Sequence, residues 1–472
     1  MNTDANIQAQ ANTESFRDRI ATVDAHGKRK WIFAQKPKGK FYNIRTYVSF
    51  FFFLVFVTLP FIHMNGRPLF LFNIPQAKFI LFGKVFWPQD FFIFGIIMIT
   101  FIVFIVLFTS AFGRLFCGWI CPQTIFMEML FRKLEYAIEG DAAKQKLMAA
   151  GPWSTEKIVR KTTKHVTFYL LAFIIANFFL AYIIGVQELW AMIKHPAANV
   201  GTIAALMVFS AVFYAVYAFF REQACTVVCP YGRLQGVLLD KNSMVVAYDY
   251  KRGEERKKIN KKEERIAGDC IDCFQCVKVC PTGIDIRNGT QMECVGCTAC
   301  IDACDHMMES VGFKKGLIRY ASENGIASHE KLHYTRRMKM YTGLLAVLLI
   351  LLTTLLLSQK DVKATVMRTP GLLFQEKGTD SVSNLYNIKV VNKTMNDIPL
   401  TVKLEDGDGN VQVVGKTINV QKEGQGSGSF FITIPKKRIQ QRKTVLKIGL
   451  YQGIKRIDVV KTSFLGPLYS TN

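Results

Sequence analysis

Five stretches of the chain, at about residues 44 to 63, 91 to 112, 166 to 186, 200 to 220 and 341 to 358, are apolar on every face. Each reaches the roughly 20 residues that cross a hydrocarbon core, so each predicts a transmembrane helix. The stretch from Leu69 to Pro88 is apolar too, but Pro75, Lys78, Lys84 and Pro88 interrupt it, which predicts an interfacial or re-entrant segment between the first two spans. Beyond residue 361 the pattern changes. NLYNIKVVNKT, PLTVKLEDGDGNVQVVG, GSFFITIP, TVLKIGLYQG and KRIDVVKTSF alternate polar and apolar positions between Gly, Asp and Asn turns. That period of two predicts an immunoglobulin-like β-sandwich over residues 361–472. Residues 1–40 form a polar leader, read as disordered, and its first 30 residues lack the apolar core of a signal peptide.

Composition strengthens the membrane reading, because half of the 472 residues are hydrophobic and 38 are Phe, too many for one ordinary soluble domain. The formal charge of +24 gathers beside the apolar runs. Lys28, Arg29, Lys30, Lys36, Lys38, Lys40 and Arg45 precede the first span. Arg132, Lys133, Arg160, Lys161 and Lys164 lie between the second and third, and the tract from Lys251 to Arg265 with Arg336, Arg337 and Lys339 lies between the fourth and fifth. With five spans these all fall on one side, which the positive-inside rule makes the cytoplasm. Residues 64–90, 187–199 and everything after about 359 then lie in the periplasm of a bacterial inner membrane. The partner that this charge implies is membrane lipid, with no nucleic acid.

All twelve cysteines fall in that cytoplasmic part of the chain, where structural disulfides are disfavoured and metal or redox chemistry is the better reading. CIDCFQCVKVCP at 270–281 and CVGCTACIDAC at 294–304 repeat one spacing, Cys-x2-Cys-x2-Cys-x3-Cys. In two-cluster bacterial ferredoxins three close thiolates hold one [4Fe-4S] cube and the fourth reaches the other cube. The spacing therefore assigns Cys270, Cys273, Cys276 and Cys304 to one cluster, and Cys294, Cys297, Cys300 and Cys280 to the second. A zinc knuckle would offer paired thiols instead. Asp305 stands where a second Pro is expected, altering the turn after Cys304, and His306 reads as solvent-facing or outer to the ligands.

The remaining four cysteines form a duplicated motif. CGWICP at 117–122 follows the first two spans and CTVVCP at 225–230 follows the next two. Pro disfavours helix at the residue before it, so Cys121 and Cys229 are expected in the turn at a helix end. If the two halves pack symmetrically, Cys117, Cys121, Cys225 and Cys229 meet at one site, and soft thiolates suit Cu(I), zinc or an iron-sulfur cluster.

The five spans hold no Asp, Glu, Lys or Arg in their interiors, which argues against an intramembrane ion relay. No dinucleotide fingerprint precedes a helix, so electrons come from another protein or from quinol, an unidentified donor. The tract KRGEERKKINKKEER, 251–265, reads as a lipid-facing, donor-docking or plain solvated helix. The fold class is thus a multi-domain membrane protein. A five-helix α transmembrane bundle (41–240 with its two CxxxCP motifs, and 336–360) carries an inserted cytoplasmic two-cluster bacterial ferredoxin domain (241–335) and a C-terminal all-β immunoglobulin-like sandwich (361–472).

This order of parts resembles the cytochrome c oxidase accessory proteins of the CcoG family, also called FixG or RdxA. The resemblance covers the chain after its leader. It implies a bacterial inner-membrane iron-sulfur protein, needed for cbb3-type oxidase assembly, that reduces Cu(II) to Cu(I). Copper would then react at Cys117, Cys121, Cys225 and Cys229, and oxidase assembly factors or copper chaperones would be partners, with a homo-oligomer left open. Two other classes fit the same parts. One is a quinol dehydrogenase subunit feeding a periplasmic reductase, the other a non-enzymatic assembly or copper-binding scaffold.

Overall fold

The computed structural model describes residues 21–23, 26, 28–64, 66–259, 267–328, 334–371, 373–378, 380–415, 417–439 and 441–467. Residues 1–20 of the expected leader lie outside the described residues, while 28–40, expected as disordered, are held in place: Arg29 binds Glu222 at 2.9 Å and the Lys36 N–H donates to Asp141 Oδ1 at 2.9 Å. The chain divides into two compact units, one holding the spans and the cysteine-rich region, the other beginning at Thr353 and including Lys84–Phe86.

Five helices are long and apolar enough to cross a membrane: Lys40–Phe61, Phe91–Phe112, Thr155–Ile184, Pro196–Phe220 and Arg336–Leu357. Each contains nearly all of one stretch expected from hydropathy. The third begins about ten residues early because Ser154 caps it, its Oγ accepting from the Lys157 N–H at 3.3 Å. It stops at Gly185, whose φ of 90° only glycine adopts freely. Phe126 and Phe131 of the helical stretch after Cys121 are buried with Phe168 of the third span and Tyr217 at the end of the fourth, Phe53 and Phe56 of the first packing against them, and Phe131 stacks on Tyr217 at 4.5 Å between ring centroids. Phe50, Phe51, Phe91, Phe92 and Phe101 point outward, which apolar side chains do at no cost in lipid. In the fifth helix only Met338 is buried.

The stretch Leu69–Pro88, expected as an interfacial or re-entrant segment, is built from strands. Phe70–Asn73 and Lys78–Leu81 pair as an antiparallel hairpin, Phe70 opposite Leu81, with Pro75 in the turn between them. Alternation places Leu71 and Ile80 inside, a period of two hidden beneath a high apolar content.

The ferredoxin region opens with strand Val245–Tyr248, which pairs antiparallel with Ile318–Ala321, Tyr248 opposite Ile318. Between them lie helices Gln275–Lys278 and Ala299–Ser310. The longer helix runs through Cys304 because Asp305, unlike a Pro, leaves the next turn intact. The Asp305 Oδ1 accepts from the Gly316 N–H at 2.8 Å, and His306 is exposed. The tract 251–265 is not the expected helix. One turn, Tyr250–Gly253, is followed by irregular chain to 259, and 260–266 lie outside the described residues. Arg252 explains the break, because it binds Asp269 and the carbonyls of Lys314 and Lys315 instead of solvent.

The second unit is a sandwich of two antiparallel sheets. One contains Val362–Arg368, Ser381–Asn392, Gln425–Pro435 and Asn410–Val414, the other Ile398–Leu404, Ile418–Val420, Lys443–Gln452 and Lys455–Leu465. Val382, Tyr386, Ile388, Phe430, Ile432, Leu446, Ile448 and Phe464 fill the space between them. The Tyr386 hydroxyl donates to the Ser463 carbonyl at 2.9 Å across the core.

A buried ion network ties the membrane helices together at the end that carries the cysteine motifs. Lys164 of the third span contacts Glu135 at 3.3 Å and Glu139 at 3.0 Å. Arg221 binds Glu135, Arg132 binds Glu128 at 3.1 Å, and Arg29 binds Glu222 at 2.9 Å. Burial pushes the Glu135 carboxyl up, but Arg221, Lys164 and Arg132 outweigh it and hold its pKa below the ordinary value. A carboxylate with a depressed folded-state pKa adds stability that is present above its unfolded value and lost as pH falls through the folded one. Glu135→Gln leaves Arg221 and Lys164 short of charge and is expected to cost about 3–5 kcal/mol. Thermal unfolding in detergent should show a large loss at pH 7 that shrinks as the pH drops below the ordinary glutamate range.

Candidate electron-transfer site

The two cysteine runs use one loop geometry twice. The residue before each second cysteine, Asp272 and Gly296, has φ of 53° and 68°. The residue after it, Phe274 and Thr298, has φ of 56° and 64° and starts a helix. Three of these four are not glycine, so left-handed backbone is being enforced where the thiols must turn inward. Cys304 lies beside Cys276, Cys270 and Cys273, close enough for their charges to raise its pKa. Cys300 lies beside Cys297, Cys294 and Cys280 in the same way, and also feels Cys276. Each ring therefore takes three thiols from one run and one from the other.

Cys276, Cys280, Cys294, Cys297 and Cys300 line a pocket of about 350 Å³ closed by Val246, Ile284 and Ile286. Burial pushes the thiols of Cys276, Cys297 and Cys304 up to about 12, so a cation must replace their protons for the rings to become thiolate at neutral pH. Among the described residues no three His, Cys, Asp or Glu side chains converge on a single-ion site. Rings of four soft donors wider than one ion, in an apolar pocket, fit an iron-sulfur cube.

The CxxxCP motifs are structural twins. Both second cysteines cap a following helix, Cys121 with φ/ψ of −56°/125° and Cys229 with −69°/112°, and Pro122 and Pro230 take the first helical position. Four residues before each first cysteine the chain breaks at a matching point, Gly113 at φ/ψ 56°/−127° and Arg221 at 52°/−118°. The four thiols are near enough to feel one another's charge, without three of them converging on a single-ion site. Burial raises the Cys225 thiol to about 12, and repulsion from Cys121, Cys117 and Cys229 adds to it. Cys117 is also pushed to about 12, by burial and then by Cys121, although Arg114 and Gln235 pull the other way. Its Sγ donates to Gln235 Oε1 at 3.0 Å. Burial raises Cys121 as well, against N–H donors from Thr124 and Gln123 at the helix start.

Two arginines lock this quartet onto the second thiol ring. Arg45 donates from Nε to the Gly118 carbonyl at 2.7 Å and from a guanidinium N–H to the Cys297 carbonyl at 3.2 Å. Arg114 reaches the carbonyls of Met292, Gly232 and Cys294. Gly118 is packed so closely that a Cβ would strike the Gly296 carbonyl. Cys225 joins Val279, Val295 and Cys297 in one buried cluster, so the membrane-edge thiols and the ferredoxin thiols share an apolar wall. Arg45, Arg114 and Gln235 escape a reading of the sequence, in which Arg45 is one flanking cation among many. The available signal was Arg114, charged and set three residues before Cys117 at the end of an apolar span.

Comparison with known proteins places this geometry in a lineage. A 4Fe-4S dicluster domain matches residues 220–323, a 4Fe-4S binding domain matches 94–138, and the IG-like fold at the C-terminal of FixG matches 352–467. The nitrogen fixation protein FixG of Rhizobium meliloti is 29% identical over 466 residues, 88% of each chain. The RdxA protein of Cereibacter sphaeroides is 32% identical over 392 residues, 79% of this chain and 81% of that one. The chain belongs to the FixG/RdxA family. A FixG-like protein of this build is a membrane iron-sulfur electron-transfer protein. Escherichia coli YccM is 24% identical over 224 residues, 44% of this chain and 52% of that one.

Two substitutions probe the site. Cys304→Ser should lower iron and acid-labile sulfide by about four atoms each per chain, one cube, and leave the rest. Gly118→Ala should force the motif away from Gly296; faster maleimide labelling of Cys225 and Cys229 in the folded protein would report the separation, and unchanged labelling would refute the close fit.

Proposed function

We propose that this FixG/RdxA-family protein is a membrane cupric reductase, in which the thiols of Cys117, Cys121, Cys225 and Cys229 receive Cu(II) and hold it as Cu(I). What supports the reading is the nearness of two soft-thiol pairs to each other, with Cys225 packed against the cluster that holds Cys297. The [4Fe-4S] clusters, when bound by the eight cysteines from Cys270 to Cys304, supply one-electron storage and transfer, and copper reduction takes one electron. The chain's own work is positional. Arg45 and Arg114 keep thiol loop and ferredoxin loop in contact.

The resemblance to cbb3 oxidase accessory proteins gives the product a use, delivery of Cu(I) to oxidase assembly factors or copper chaperones. In this reading the protein sits in a bacterial inner membrane with the N-terminus and ferredoxin domain cytoplasmic and the sandwich periplasmic, on the Lys and Arg distribution. A second reading is favoured by the match of residues 94–138 to a 4Fe-4S binding domain: the quartet holds a further cluster and relays electrons. Replacing all four cysteines with Ser tests both. If the quartet handles copper, the variant keeps its iron while Cu(II) no longer reoxidises the dithionite-reduced clusters, read by loss of their EPR signal. A loss of about four irons per chain supports the relay. Unchanged iron with unchanged copper reduction removes both.

A further inference from the structure

A cleft beside the second thiol ring has no role in the reading above. It is an open cleft between the first span and the helical stretch after Cys121. Thr46, Ser49, Phe50 and Phe53 form one wall at spacings of three and four, a single helix face. Ile125, Met129, Leu130 and Lys133 form the other. The walls are apolar except for three groups. Lys133 Nζ donates to Thr46 Oγ1 at 3.0 Å, which spends one of its three N–H bonds. The Thr46 hydroxyl is itself occupied, donating to the Tyr42 carbonyl at 2.9 Å. Ser49 is only 3% exposed, and its Oγ has no hydrogen-bond partner. A buried hydroxyl without a partner is costly, and few native groups are left so.

The cleft borders both lipid and the ferredoxin thiols. Phe50 is 66% exposed on the outer surface of the span, where lipid would meet it. Met129 also lines the adjoining pocket, which contains Arg45, Pro281, Cys297 and Ala299. One layer of side chains therefore separates the cleft from the Cys297 ring.

We propose that this cleft binds the headgroup of a membrane quinol, with Lys133 and Ser49 donating to its ring oxygens and Phe50 and Phe53 against its ring. An isoprenoid tail leaves along the lipid-facing side. The chemistry that selects this ligand is a planar, apolar ring with two oxygens at opposite ends, supplied from the bilayer and able to give electrons. Oxidation of the quinol to the quinone releases two electrons, one for each of the two clusters the chain is built to hold, and two protons, which pass to water, Lys133 relaying one only after giving its own proton to water. Burial and the charges of Lys36 and Arg45 hold the Lys133 pKa below its ordinary value, which suits it to exchange a proton. This inference supplies the donor for the proposed copper reduction and rests on that reading only for the electrons' destination.

The test uses the full-length protein in lipid nanodiscs. An azido-substituted menaquinone should photolabel peptides containing residues 46–53 or 125–133, mapped by mass spectrometry, and menadione should compete. Labelling should persist after iron is stripped, because the cleft is built by the chain alone. Lys133→Met and Ser49→Leu should each cut labelling, and Lys133→Met should slow reduction of the clusters by menadiol about tenfold while dithionite still reduces them fully. Ser49→Leu fills the cleft, so if it fails to fold the Lys133 variant stands alone. Labelling elsewhere, labelling without competition, or menadiol reduction as fast in Lys133→Met as in wild type overturns the proposal, and a lipid chain then occupies the cleft. Adding Cu(II) to dithionite-reduced protein separates the two ideas. Copper reduction without menadiol reduction leaves the function standing and removes the quinol site; the reverse keeps the quinol site and removes copper.

Discussion

The arrangement of the first unit depends on two guanidinium groups bonded to backbone carbonyls. Loops that turn thiols inward leave their carbonyls without helical partners, and a buried carbonyl without a donor costs about 1–3 kcal/mol. Arg45 and Arg114 resolve this for two loops at once, one from the membrane motifs and one from the ferredoxin run. Five N–H groups in a rigid fork suit this task, and a lysine's point charge does not. Because each arginine is shared, neither loop is satisfied without the other. The redox parts are therefore held in register by hydrogen bonds that belong to the membrane helices.

From that register the chemistry follows in order. Two thiol rings interleave cysteines from both runs, so neither ring closes before the whole ferredoxin region has folded. At the membrane edge Cys225 packs against the cluster that holds Cys297 of the second ring. The ion network beneath it is expensive to desolvate and adds little net stability against an apolar alternative. Its effect is geometric. Glu135 and Glu222 anchor the segments that follow the second and fourth spans to one set of cations, and those segments carry the two cysteine motifs.

Much of this was legible in the residues themselves. Hydropathy marks the five spans because length and apolarity are all that a span requires. Cysteine spacing marks the two rings because a cube dictates where four sulfurs stand. The hairpin at 70–81 was obscured since its inward and outward residues are both apolar, Phe72 and Phe79 beside Leu71 and Ile80, and the period of two disappears. The short helix at 250–253 was overestimated because a run of mixed charges predicts a solvated helix only when its arginines have nothing better to bind. Arg45 and Arg114 stayed hidden for a related reason. A sequence displays that a residue is charged, while the carbonyl it serves lies 73 or 180 positions away.

The twin chain breaks at Gly113 and Arg221 are made by different means. In the first copy the reversed turn is made by the residue with no side chain, where a Cβ would meet the Met244 carbonyl. In the second the same dihedral angles are imposed on an arginine, at a cost of about 1–3 kcal/mol, and that arginine lies 4.7 Å from the Trp31 ring centroid and pairs with Glu135. An arginine holds this conformation only where the surrounding groups, here Glu135 and Trp31, bind it. The two halves are thus no longer interchangeable, and a chimera that repeats the first half twice would keep all four thiols yet lose the cation on which the second half's seat was built.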